Sequence, residues 1–70
     1  MSELLLDKEI YPIGMIEKAI HAYEALSEIK YKNSEKYHIL EFAKCRYDEN
    51  LTMKEYENYV LDLLVSKEGK

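Results

Sequence analysis

Seventy residues, 47% of them hydrophobic, allow one small domain with a thin stability margin, since a fold of this size buries only about 60% of its unfolded surface. Ten basic residues against fourteen acidic ones give a net charge of −4, which lacks the basic footprint that supplies most nucleic-acid affinity. Cys45 is the only cysteine, which excludes an internal disulfide, and the longest apolar runs (Leu4-Leu5-Leu6 and Leu63-Leu64-Val65) are far too short to span a bilayer.

In chain order, Leu4 to Ile10 reads as a first strand, short and aliphatic, stopped by Tyr11-Pro12. Pro12 suits the first position of a helix, where its missing N–H would be unpaired anyway. From Ile13 the apolar period becomes helical: Ile16, Ala19, Ile20, Tyr23 and Leu26 share one face, and Glu17, Lys18, His21 and Glu24 the other. Gly14 weakens the first turn without changing that expectation.

Glu28 to Lys32 alternates charged and apolar residues, the pattern of a half-buried strand, and its lysines suit a sheet edge because charge there discourages pairing with other chains. Asn33-Ser34-Glu35 supplies a turn, and Tyr37 to Cys45 a third strand whose centre, Ile39 to Ala43, is apolar on both faces. Thr52 and Glu55 have the spacing of a capping box for the last helix, with Leu51 and Tyr56 as its hydrophobic staple and Asp48-Glu49 left in a loop. Tyr56, Tyr59, Val60, Leu63 and Leu64 then form an apolar face, and residues 66–70 are expected to fray.

These elements predict an α+β fold in the order β-α-β-β-α, one domain over residues 1–70. A right-handed crossover joins the first two strands, the third fits antiparallel between them, and both helices cover one sheet face. An even-length turn in the hairpin groups Ile29 and Tyr31 with His38, Leu40 and Phe42; an odd one would bury Glu41 at a cost of several kcal/mol. The even turn leaves Tyr37, Ile39 and Ala43 on the face away from the helices, together with Leu5. These four form the expected partner-binding face, with the strand edge beside it as the alternative docking surface.

Chemistry-bearing residues offer little else. His21 and His38 have no companion at catalytic or metal-ligand spacing, and with Cys45 they are the only candidate soft ligands, so neither a catalytic site nor a metal or cofactor site is expected. Cys45 lies near Arg46 but has no identified base, the setting of an inert thiol. Gly14 and Gly69 are the only glycines, too few for a phosphate-cradling loop. Seven tyrosines are many for the length; Tyr31, Tyr37, Tyr56 and Tyr59 are read either as a binding surface or as bulky core and strand residues. The acidic start Met1-Ser2-Glu3 is unlike a signal peptide, and a cytoplasmic location is expected.

Leu6-Asp7 with Ile10-Tyr11-Pro12, Ile16 to Ile20, Tyr37-His38-Ile39, and Glu55 to Asp62 together resemble the small His-Xaa-Ser system protein HxsD and its relatives. That resemblance covers nearly the whole chain in element order and implies a non-enzymatic accessory role beside a radical S-adenosylmethionine (radical SAM) enzyme that modifies a peptide precursor. The iron–sulfur chemistry would belong to that partner, because the cysteine set for a cluster is absent here. The alternative reading is a self-associating acidic regulatory or antitoxin-like subunit. Expected partners are therefore a second copy, a radical SAM enzyme or its peptide, with neither nucleic acid nor membrane.

Overall fold

In the computed structural model, which describes residues 2–68, the order is β1 (Ser2–Asp7), α1 (Ile13–Tyr23), β2 (Glu28–Asn33), β3 (Tyr37–Ala43) and α2 (Glu49–Glu68). The fold is α+β, as the residue patterns predict. Its sheet has the order β1-β3-β2, with both outer strands antiparallel to β3.

Strand β1 stops at Asp7, earlier than the expected Ile10. The Asp7 carboxylate accepts from the Glu9 N–H at 2.8 Å, and its carbonyl accepts from the N–H groups of Ile10 and Tyr11. Aspartate thus turns its own backbone out of the ladder. Pro12 has extended backbone geometry and is the N-cap of α1 rather than its first helical residue; its carbonyl accepts from Met15 and Ile16.

The hairpin has the even turn. Ser34 donates its N–H to the Tyr37 carbonyl at 2.9 Å, leaving Glu35 and Lys36 at the tip, and the register sets Ile29 opposite Phe42 and Tyr31 opposite Leu40. Strand β3 ends at Ala43, two residues short of the expected Cys45, because Lys44 takes a left-handed φ of 51° and turns the chain. The Arg46 N–H then reaches the Leu26 carbonyl at 2.7 Å.

The start of α2 corrects the capping-box expectation. Asp48, not Thr52, caps the helix: its carboxylate accepts the Leu51 N–H at 2.9 Å and its carbonyl the Thr52 N–H. Thr52 is a buried residue of the first turns whose hydroxyl donates to the same carbonyl at 2.8 Å. Leu51 is exposed while Tyr56 is buried, so they form no staple, and Glu49 is helical rather than part of a loop. The helix also runs on through Ser66 to Glu68, where fraying was expected; residues 69 and 70 lie outside the described residues.

One core joins the layers. Leu6, Leu40 and Phe42 from the sheet meet Met15, Ile16 and Ala19 of α1 and Tyr56 and Val60 of α2. Tyr59, Leu63 and Leu64 pack around its margin. The even-numbered residues of β1 and β3 face this core, so both helices lie on one side of the sheet and the odd-numbered residues face away.

Candidate interaction surface

The face away from the helices is built in cross-strand rows. Leu5 lies opposite Ile39, which lies opposite Lys32; Glu3 lies opposite Glu41, which lies opposite Lys30; Asp7 lies opposite Tyr37, and Ala43 opposite Glu28. Leu5 is 52% exposed and Tyr37 40%, while Ile39 and Ala43 are half-buried. The four residues expected on this face are all on it.

They do not form one continuous apolar patch. Glu41 sits between Ile39 and Ala43, so the apolar group is Leu5, Ile39 and Tyr37, with Ala43 set apart. Lys32 donates to the Glu41 carboxylate at 3.1 Å and, aided by the charge of Lys30, holds that carboxyl below its ordinary pKa. The charged frame is uneven: β1 contributes Glu3 and Asp7, and β2 contributes Lys30 and Lys32 with Glu28 at its far end.

The four tyrosines considered as one binding surface are separated by the fold. Tyr37 is on the open face, Tyr31 on the helix side of β2, Tyr56 in the core, and Tyr59 half-buried beside Tyr23. Tyr31 instead serves His38. Its hydroxyl lies 2.7 Å from Nδ1, and Nε2 lies 2.8 Å from the Tyr11 carbonyl. A carbonyl only accepts, so Nε2 carries a proton and donates to it, and Nδ1 faces the tyrosine hydroxyl. Both ring nitrogens of this buried histidine are therefore occupied in tying β3 to β2 and to the turn before α1.

His21 is exposed and faces Glu24 at 3.6 Å. Cys45 is half-buried, its Sγ 3.2 Å from the hydroxyl of buried Ser27, which also donates to the Ala43 carbonyl. Among the described residues no three His, Cys, Asp or Glu side chains gather to hold a metal ion, and no helix is long and apolar enough to cross a membrane. An open cleft of about 590 Å³ lies where α1 ends against β2, bordered by Ile20, Leu26, Ile29, Glu24, Lys44 and Arg46. No family model, no curated protein and no solved structure matches this chain.

Proposed function

We infer that the protein is a non-enzymatic accessory domain that docks a larger protein on its open sheet face. The observation that carries this reading is the row of Leu5 and Ile39 beside Tyr37, apolar side chains left in contact with water although two helices are available to the fold. A grouped apolar surface of this kind, rimmed by charge, is the usual mark of a protein contact. The resemblance to the HxsD-like proteins directs the search for the partner to a radical SAM enzyme encoded nearby, or to its peptide precursor. Support for that direction is the chain-long order of motifs and the domain's small size, which favours working through association.

The test is Ile39→Lys. An outward strand position accepts a lysine, and an apolar contact does not. The variant is expected to keep the parent's circular dichroism and to lose co-elution with the neighbouring enzyme in size-exclusion chromatography with light scattering. Full retention of the complex by a folded variant would rule out this face, and an unfolded variant would place Ile39 in the core.

A further inference from the structure

We propose that β2 pairs edge to edge with β2 of a second copy, making a two-fold, six-stranded sheet. This does not rest on the docking face described above, which lies at right angles to the edge.

Strand β2 is the least covered element of the sheet. Five of its six residues are exposed and only Ile29 is half-buried, so neither layer of the fold protects it. The phase of its ladder follows from one bond. Ser34 and Tyr37 form a hydrogen-bonded pair, so in an antiparallel hairpin Lys32, Lys30 and Glu28 also bond to β3. The N–H and C=O groups of Ile29, Tyr31 and Asn33 must then point outward from the edge.

Lys30 and Lys32 discourage pairing with most strands, and side-chain chemistry selects the register in which this strand pairs with itself. With the two-fold axis at Lys30, Ile29 faces Tyr31 of the second copy and Glu28 faces Lys32 of the second copy, each twice. Four backbone hydrogen bonds form between the outward groups of Ile29 and Tyr31. Aliphatic–aromatic and opposite-charge pairs are the stabilising cross-strand combinations. The like-charge contact at the axis, Lys30 on Lys30, is offset because each Lys30 already lies opposite Glu41 on its own β3. Moving the axis to Tyr31 would set Lys30 against Lys32 twice. Moving it to Ile29 would require the Ser27 N–H, which is already donated to the Tyr23 carbonyl at 3.1 Å. Of these three registers, the Lys30-centred one alone satisfies both charge and backbone.

Such an axis is normal to the sheet, so it keeps faces together. All four helices lie on one side, and the two Leu5–Ile39 rows lie on the other as a doubled platform. Tyr31 of the second copy comes opposite Ile29, which borders the 590 Å³ cleft.

The test uses proline and charge reversal, read by sedimentation equilibrium up to about 1 mM chain, the weak limit of a useful contact. The parent is expected to be a dimer. Tyr31→Pro removes an outward N–H without removing a backbone bond to β3, loses the side-chain bond to His38 as Tyr31→Phe also does, and is expected to be a folded monomer. Tyr31→Phe keeps that N–H, loses only the bond to His38, and is expected to remain dimeric. Glu28→Lys and Lys32→Glu should each weaken the dimer about tenfold, and the double variant should restore it. A monomeric parent, or a dimer that survives in Tyr31→Pro, overturns the proposal. Should Tyr31→Pro unfold, the charge series decides: single reversals without effect, or a double variant that fails to recover, overturn it equally. Ile39→Lys is expected to leave this dimer intact, which separates failure of the edge from failure of the docking face.

Discussion

The Tyr56 hydroxyl donates to the Ile16 carbonyl at 3.0 Å, joining two fully buried residues forty positions apart and tying α2 to α1. The same ring meets Phe42 edge-on at 5.4 Å and Tyr23 at 5.6 Å, so one side chain contacts both helices and the sheet. Tyr56→Phe keeps the ring contacts and removes one buried bond. The Ile16 carbonyl keeps its own helical partner, so the cost should be about 1 kcal/mol. Urea unfolding with an unchanged slope would show it as a lower midpoint. A midpoint equal to the parent's would mean that this bond contributes nothing net.

Burial also raises the Tyr56 phenol well above its ordinary pKa, and Tyr23 is raised by burial, with Glu55 and Tyr59 adding to the effect. The sign follows directly. In the unfolded chain these phenols ionise near pH 10, whereas the folded core keeps them protonated. Their contribution to stability is therefore complete below about pH 10 and is lost progressively above it. Stability of the parent should fall as the pH rises above about 10, and Tyr56→Phe should fall less steeply. Parallel alkaline profiles for the two proteins would show that Tyr56 ionises equally well in both states.

Asp48 carries the cap of α2, so Asp48→Ala should cost about 1 kcal/mol. Glu55→Ala, which breaks the capping box expected from the residue spacing, should cost much less. Chemical denaturation of the two variants distinguishes the two helix starts, and the reverse order of costs would return the cap to Thr52.

That misplaced cap shows where residue patterns run out. Asp48 and Thr52 are both good N-caps, four residues apart, and local chemistry does not choose between them. The choice is tertiary: Thr52 is buried, its hydroxyl bonds the Asp48 carbonyl, and the helix start is left to Asp48. Strand ends were hidden for a similar reason, since they depend on Asp7 bonding its own turn and on Lys44 taking a left-handed backbone. The pairing was legible because Glu41 leaves only one hairpin register without a buried carboxylate. That same choice places Leu5, Tyr37, Ile39 and Ala43 on the open face. It did not reveal that Glu41, with its lysines, divides the face, because Lys30 and Lys32 reach it only across strands. Nor did spacing along the chain show that Tyr31 serves His38 rather than joining Tyr37.

Lys44 is the one described non-glycine residue at positive φ, 51°, and its position explains why the chain accepts it. It must reverse the direction of β3 at once, so that Arg46 can bond the Leu26 carbonyl and Cys45 can lie against Ser27. A left-handed conformation costs a side chain with a Cβ roughly 1–2 kcal/mol, and glycine avoids most of that. Against this stands the greater freedom that glycine loses on folding, about 0.5–1 kcal/mol. The Lys44 ammonium contributes only an exposed contact with Glu28 at 3.8 Å, and such surface pairs add little. The balance makes Lys44→Gly stabilising by about 0.5 kcal/mol, whereas Lys44→Val, whose branched Cβ crowds a left-handed backbone, should destabilise. Thermal and urea unfolding of the three proteins should therefore rank glycine above lysine above valine. If valine matches lysine and glycine falls below both, the turn after β3 is not left-handed in solution.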